Sequence, residues 1–180
     1  MADMILSLEG KHFKRQYLLY VIEITHDLEK YYYIGQTGDN HYKTARPAFR
    51  RLAGHLEDRG RSTQNQVYKY LAFEVLDNPR PKEKKYNLSD NIKQSVEDFL
   101  VDSEVKMYVY RLQSFESAIS HEEHLGNVRN VTTFEQMVIE LFKARFRNIG
   151  NKKERKIPSA VKCPYPEILI QIKNDFNILN

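Results

Sequence analysis

Two apolar segments separated by a short polar stretch constrain the fold more than any other feature of the chain. Residues 17–24 read YLLYVIEI and residues 30–35 read KYYYIG, with turn-forming residues 25–29 between them. Aromatic and β-branched residues are favoured in strands, and a strand that is apolar on both faces is typical of the middle of a sheet. The pattern therefore predicts an antiparallel β-hairpin whose first strand is central.

The hairpin also predicts which residues face each other. A turn centred on His26 and Asp27 would place Tyr20 directly opposite Tyr33 on one face of the sheet. A further alternating segment, residues 105–112 (VKMYVYRL), predicts another strand. We expect an α/β (α+β) fold in which a small, mainly antiparallel, three-stranded sheet is flanked by helices.

Helical periodicity explains most of the remaining chain. Segments with apolar residues at helical spacing or with helix-favouring composition are 49–56, 67–73, 92–100, 114–124, 132–146 and 166–176. In the first of these, Phe49, Leu52 and Leu56 lie on the stripe expected to face the core. We interpret residues 1–180 as a single domain with an insertion at about 77–104 and a basic C-terminal extension at about 152–180.

Composition narrows the class of protein. Hydrophobic residues make up 41% of the chain, which excludes wholesale disorder, and no apolar run is long enough to cross a bilayer. Residues 1–10 do not have the pattern of a secretion signal. We therefore expect a cytoplasmic protein without a membrane partner. The net charge of +4 is compatible with binding a polyanion such as DNA, but is not specific for it.

The order of motifs resembles that of the GIY-YIG nuclease family. In that family the first strand carries a Gly-Ile-Tyr-like triplet and the second carries Tyr-Ile-Gly. The corresponding residues here are 18–20 (LLY) and 33–35 (YIG), so leucine stands where the family usually has its first glycine. The resemblance implies a compact nuclease domain that hydrolyses DNA phosphodiester bonds with one divalent metal ion, Mg²⁺ or Mn²⁺.

The resemblance also implies where the site residues lie. The family has an arginine on the helix after the second strand, often followed four residues later by a histidine or tyrosine, and Arg51 and His55 match this spacing. A glutamate on a later helix binds the metal ion in the family, which fits Glu135. An asparagine follows that helix, which fits Asn148, with Asn151 as the competing candidate.

These residue types suit phosphodiester hydrolysis, which needs an activated water and neutralisation of the charge on the phosphate. Arg51 would bind the non-bridging phosphate oxygens, and Glu135 would hold a Mg²⁺ ion that uses few protein ligands. Tyr20 and Tyr33 would flank the attacking water. The resemblance favours Tyr20 as the general base, and His55 is the alternative.

A cationic segment follows the proposed metal-binding helix. Residues 143–156 read KARFRNIGNKKERK. The candidate contacts to DNA phosphates in this segment are Lys143, Arg145, Arg147, Lys152 and Lys153. A solvated basic surface explains the segment equally well. Residues 80–85 and the C-terminal tail are further candidates for DNA recognition. For the oligomeric state, we expect either a monomer or a homodimer.

Several alternatives stay open. Residues 132–135 match a capping box at a helix N-terminus, which would give Glu135 a structural role. Residues 121–124 (HEEH) place two histidines at helical spacing without an evident third zinc ligand, so we favour a solvated helix end there. A non-catalytic nucleic-acid-binding module on the same fold is the main alternative to a nuclease. A structural or protein-interaction domain is a third possibility.

Overall fold

The computed structural model describes residues 7–58, 65–81, 88–151 and 161–178. At its centre is a three-stranded antiparallel sheet in the order β2-β1-β3. The strands are β1 (Gln16–His26), β2 (Glu29–Gln36) and β3 (Glu104–Ser114). Residues 17–24 of β1 are buried throughout, as its doubly apolar sequence requires. The predicted fold class and the central position of the first strand are confirmed.

The hairpin turn lies one residue later than predicted. Asp27 and Leu28 have positive φ angles of 46° and 68°, and His26 pairs with Glu29. Two consecutive residues with positive φ form the kind of two-residue turn whose twist matches that of the flanking strands. The turn is therefore centred between Asp27 and Leu28.

This shift changes the cross-strand partners of the two motif tyrosines. Tyr20 pairs with Gly35, and Tyr33 pairs with Ile22. The predicted direct pair of Tyr20 and Tyr33 is wrong. Because a displacement of two residues preserves the alternation of side chains, both tyrosines still lie on the same face of the sheet.

The helices cover both faces of the sheet. They are α1 (Ala48–His55), α2 (Gln66–Tyr70) with a π-helical turn (Leu71–Val75), α3 (Asp90–Val101), α4 (His121–Lys143) and α5 (Pro166–Asp175). The face that carries Tyr20 packs against α1, α2, the π-helical turn and α3, whereas the opposite face packs against α4 and α5. No helix in the described ranges is long and apolar enough to cross a membrane.

The long helix α4 replaces two predicted helices, over 114–124 and 132–146. Gly126 interrupts the apolar pattern, and a glycine inside a helix costs about 1 kcal/mol relative to alanine. Val128 and Val131 are fully buried on the following turns. Their packing offsets the cost of the glycine, so the helix continues through the expected break.

The N-terminal cap of α4 is Ser120. Its hydroxyl accepts a hydrogen bond from the Glu123 amide at 3.1 Å. Residues 132–135 lie well inside the helix, so the interpretation of this segment as a capping box is wrong. Glu135 therefore has no role in beginning a helix.

Both peripheral segments contribute to the core. In the predicted insertion, α3 buries Ile92, Val96 and Phe99 against the sheet. In the predicted C-terminal extension, α5 begins at Pro166 as expected and buries Ile172 against the opposite face. Residues 82–87 and 152–160, which contain much of the predicted basic surface, lie outside the described ranges.

Candidate active site

The hydroxyl of Tyr20 is the centre of the candidate site. His55 Nε2 lies 2.7 Å from this oxygen, and Arg51 donates to it from Nε at 3.0 Å and from Nη2 at 2.8 Å. Residues four apart on a helix lie one above the other, so α1 presents Arg51 and His55 on the same face. The structure thus brings these three predicted residues into direct contact.

The hydrogen bonds determine where the protons lie. A phenol oxygen accepts two hydrogen bonds, and both are taken by Arg51, so Tyr20 donates its own hydrogen to His55 Nε2. The proton of a neutral His55 then lies on Nδ1, a buried atom with no hydrogen-bond partner among the described residues. Leaving a buried donor unpaired costs about 1–3 kcal/mol, so folding alone does not favour this arrangement.

Burial sets the charge of each group. Desolvation, together with repulsion from Arg51, lowers the pKa of His55 to about 3. Desolvation raises the pKa of Tyr20 to about 12, although the Arg51 charge opposes this effect. Burial also disfavours the charge of Arg51, but the Tyr20, Tyr33 and Glu135 oxygens together outweigh burial and raise the pKa of Arg51. At neutral pH the group therefore consists of a neutral phenol, a neutral imidazole and a guanidinium ion.

Tyr33 and Glu135 complete the group. The Tyr33 ring lies 4.6 Å from the His55 imidazole, centre to centre. Burial raises the pKa of Tyr33 well above its ordinary value, and the nearby Tyr20 and Glu135 oxygens add to the shift. Glu135 also acts electrostatically on Tyr20 and Arg51. The half-buried carboxylate of Glu135, in the interior of α4, is therefore close to Tyr20, Tyr33 and Arg51.

Gly35 makes room for the Tyr20 ring. A Cβ atom at this position would lie 2.6 Å from Tyr20 Cε2 and closer still to Cζ and Oη. Such distances are well inside van der Waals contact, so no other residue fits without displacing the ring. The glycine of the Tyr-Ile-Gly triplet thus has a packing role: it allows Tyr20 to cross the neighbouring strand towards α1.

The two candidate asparagines contact different residues of β2. Asn148 donates its amide to the Lys30 carbonyl at 3.2 Å, near the hairpin turn. The Asn148 carbonyl also accepts from the Tyr32 N–H at 2.8 Å, so Asn148 lies beside the middle of β2, nearer the hairpin turn than Asn151. Asn151 instead pairs with Ile34, accepting from its N–H at 2.9 Å and donating to its carbonyl at 2.7 Å. Only Asn151 contacts the Tyr-Ile-Gly end of the strand.

The structure describes three of the predicted DNA-contacting residues: Lys143, Arg145 and Arg147. Lys143 is the last residue of α4, and the two arginines are exposed in the turn that follows. Lys143 is eight residues from Glu135, or about 12 Å along the helix. The remaining candidates, Lys152 and Lys153, lie outside the described ranges.

A second tyrosine–histidine pair was missed by the sequence analysis. Tyr17 Oη lies 2.7 Å from His124 Nδ1, and His124 Nε2 donates to the Asp39 carbonyl at 2.8 Å. Both side chains are fully buried, so the expectation of a solvated end at 121–124 is wrong for His124. Because both ring nitrogens have partners, unlike those of His55, we assign this pair a structural role in anchoring α4 to the loop after β2. The sequence carries one signal for this region: the Ser-x-x-Glu capping pattern at residues 120–123, which predicts that a helix begins just before His124.

The carboxylate of Glu135 has the chemistry of a magnesium ligand. The described ranges contain no group of three or more His, Cys, Asp or Glu side chains that could hold a metal ion. Mg²⁺ does not need such a group, because one or two carboxylates together with water and phosphate oxygens complete its octahedral shell. Glu135, close to Arg51 and Tyr33, has the required chemistry.

Comparison with known proteins yields no relative: no family model, curated protein or solved structure matches the chain. The similarity to GIY-YIG nucleases therefore stays a prediction from the motifs.

The lowered pKa of His55 predicts how the free energy of unfolding depends on pH. The group has a pKa of about 3 in the folded protein and 6.5 as its ordinary value, so between these values only the unfolded chain binds the proton. The stability contributed by neutral His55 is fully present above pH 6.5 and is lost as the pH falls towards 3. The expected loss between pH 6.5 and 5 is roughly 1–2 kcal/mol.

His55→Gln tests this dependence, because glutamine keeps a polar atom near Tyr20 but does not titrate. Urea unfolding at pH 6.5, 5.5 and 5 should show a shallower loss of unfolding free energy in the variant than in the wild type. His41→Gln, at an exposed position, is the matched control and should follow the wild type. Equal slopes for His55→Gln and the wild type would contradict the assignment of a neutral buried imidazole.

Proposed function

We propose that the protein is a metal-dependent endonuclease that hydrolyses DNA phosphodiester bonds at the Tyr20 site. The observation that supports this proposal most strongly is the convergence of Arg51 and His55 on the Tyr20 hydroxyl. GIY-YIG nucleases, which the motifs resemble, carry their site residues at these positions. A buried polar group of this kind costs desolvation energy that an apolar set would not, so stability alone does not explain it.

Arg51 is the proposed phosphate-binding group. Its planar guanidinium fits two phosphate oxygens at once, and it is half-buried beside the Tyr20 hydroxyl. A substrate phosphate would therefore compete with Tyr20 for the same donors. When Arg51 turns towards the phosphate, the Tyr20 oxygen that it now covers becomes accessible to a water molecule.

Tyr20 and His55 are the proposed proton-accepting pair. With a pKa of about 12, Tyr20 is not a phenolate at neutral pH, so it must release its own proton to take one from water. His55 Nε2 receives the hydroxyl proton while the Tyr20 oxygen takes a proton from the attacking water. Negative charge developing on the phosphate offsets the cost of a buried imidazolium. The relay uses both candidates for the general base.

Glu135 is the proposed ligand of Mg²⁺ or Mn²⁺. A bound ion would supply charge neutralisation at the phosphate and at the leaving oxygen. The contribution of the chain is to hold the carboxylate on α4 within electrostatic range of Arg51 and Tyr33. Tyr33 packs its ring on His55 and thereby restricts the rotation of the imidazole. Of the two asparagines, Asn151 is better placed than Asn148 to support this end of the sheet.

The direct test is incubation with supercoiled, linear and branched DNA in the presence of Mg²⁺, Mn²⁺ or EDTA. We expect cutting that requires the metal ion, by a monomer or homodimer acting in the cytoplasm. DNA binding without cutting on any substrate would favour the non-catalytic binding module. Failure to bind DNA even at low salt would favour a protein-interaction domain.

Arg51→Lys should lower kcat by about 10²–10³-fold, the usual effect of removing one donor to a developing charge. Lysine keeps the positive charge but cannot bind a phosphate through a planar fork. Plasmid cleavage at several DNA concentrations separates kcat from KM, and kcat should fall more. Arg129→Lys, at an exposed position of α4, is the matched control. Cleavage by Arg51→Lys at the wild-type rate would remove Arg51 from the catalytic group.

A further inference from the structure

A groove beside α1 has features that the proposed nuclease mechanism does not use. Its volume is about 370 Å³, which lies in the lower part of the range of about 300–1,000 Å³ typical of small-molecule sites. The residues that line it are Phe13, Arg15, Pro47, Phe49 and Arg50. Its volume is sufficient for a ligand of nucleotide size.

Two phenylalanines form an exposed aromatic pair in this groove. The rings of Phe13 and Phe49 lie 5.3 Å apart, and the two residues are 52% and 36% exposed. The apolar stripe of α1 predicted that Phe49 faces the core, and this prediction is wrong. The Phe49 ring packs instead on Phe13, the last residue of the 3-10 turn Gly10–Phe13. Neither ring belongs to the hydrophobic core, and neighbouring exposed aromatic rings are typical of an interaction site.

The groove is basic as well as aromatic. Arg15 and Arg50 line it, both are exposed, and Lys14 lies next to Arg15 in the chain. None of the lining residues is acidic. In the part of the chain that the structure describes, neither arginine forms an ion pair. Arginine next to exposed aromatic rings is the combination with which proteins bind single-stranded nucleic acid, since the rings stack on bases and the guanidinium binds phosphates.

The groove and the Tyr20 site share one helix. Arg50 lines the groove and Arg51 binds Tyr20, and successive residues of a helix point about 100° apart. A helix is about 10 Å across, a distance that about three nucleotides cover at 3.4 Å each. A strand with one phosphate at Arg51 could therefore place a nearby nucleotide in the groove.

We propose that this groove binds an unpaired nucleotide of the DNA substrate. The base stacks on Phe13 and Phe49, and the phosphates on either side of it contact Arg15 and Arg50. The inference rests on the proposed function in taking DNA as the ligand, and it adds a substrate class to it. Because a paired base does not expose its face, the protein should prefer single-stranded, frayed or branched DNA to an intact duplex.

The absence of tryptophan from the chain allows a direct test. Phe13→Trp introduces a single tryptophan into the groove, and its emission, excited at a wavelength that tyrosine does not absorb, should be quenched when a short oligothymidylate binds in the presence of EDTA. Val101→Trp, at a position 81% exposed on α3, is the matched control and should not be quenched. An oligouridylate of equal length separates DNA from RNA, and tighter binding of the RNA would overturn the assignment to DNA.

Substitutions in the wild-type background separate stacking from packing. Phe49→Leu should weaken oligothymidylate binding by about five- to a hundredfold, whereas Phe49→Tyr should bind normally, because leucine keeps apolar bulk but has no aromatic face. Arg50→Ala should lower the slope of log Kd against log salt concentration by about 0.7, the value for one phosphate contact to a single strand. Arg129→Ala should leave the slope unchanged. Normal affinity of Phe49→Leu would overturn the inference.

These outcomes distinguish the groove from the nuclease site. If the wild type cuts DNA but Phe13→Trp is not quenched, the groove inference fails and the proposed nuclease stands. If quenching occurs but no DNA is cut under any condition, the groove stands and the nuclease fails. Emission that changes with protein concentration alone would identify a self-association surface and would also overturn the inference.

Discussion

Glu135→Gln should abolish metal-dependent cleavage, with a loss in kcat of roughly 10³-fold or more. A carboxylate that holds a catalytic metal ion contributes several kcal/mol of charge stabilisation, and each 1.36 kcal/mol is about tenfold in rate. Glutamine has nearly the same volume and helix propensity as glutamate but carries no charge. Because Glu135 lies in the interior of α4 rather than at its N-cap, the substitution removes no helix cap.

The measurement pairs plasmid cleavage over a range of Mg²⁺ concentrations with urea unfolding of the same preparation. Glu122→Gln, at an exposed position in the first turn of α4, is the matched control and should cleave at the wild-type rate. A loss of cleavage that merely follows a loss of unfolding free energy would show that Glu135 acts structurally. Undiminished metal-dependent cleavage by Glu135→Gln would remove it as the metal ligand.

Gly35→Ala should strongly lower the free energy of unfolding. The new Cβ atom would overlap the Tyr20 ring, which is fully buried and held by Arg51 and His55. Overpacking costs about 1–3 kcal/mol, and breaking the buried hydrogen bonds adds about 1–3 kcal/mol. A total of about 3 kcal/mol corresponds to a decrease in Tm of about 6–12 °C for a domain of this size.

Thermal unfolding followed by circular dichroism measures this decrease. Gly126→Ala is the matched control, since a Cβ atom there meets nothing within 4 Å and alanine should stabilise the helix by about 0.5–1 kcal/mol. A double-mutant cycle with Tyr20→Ala should recover most of the cost of Gly35→Ala, because the overlapping ring is then absent. If Gly35→Ala costs the same in both backgrounds, the close contact with Tyr20 is not its cause.

Local patterns predicted the elements of the fold well. The apolar run at 17–24 indicated a central strand, because only a strand buried on both faces is apolar on both. The i, i+4 spacing of Arg51 and His55 indicated that both lie on one helix face. The motif order then brought Tyr20, Tyr33 and Glu135 into the same hypothesis, and the structure places all five side chains near one another.

Predictions that depended on the end of an element were less accurate. The hairpin turn lies one residue later than predicted, because the position of a turn depends on backbone twist as well as on polar composition. The continuity of α4 through Gly126 depended on the burial of Val128 and Val131. The local sequence contains these valines but does not show that they are buried. His124 was expected in solvent for the same reason, since its partners Tyr17 and Asp39 are distant in the chain.

The sequence by itself determined the strands, most of the helices, the excess of positive charge and the residue types at the candidate site, because these depend on local periodicity and composition. Only the tertiary structure decided that Arg51 and His55 meet on one hydroxyl, that Tyr20 crosses Gly35, and that Phe49 turns outward to Phe13. The physical reason is that protonation, pKa and exposure depend on which distant side chains share a site, and chain folding rather than spacing brings those side chains together.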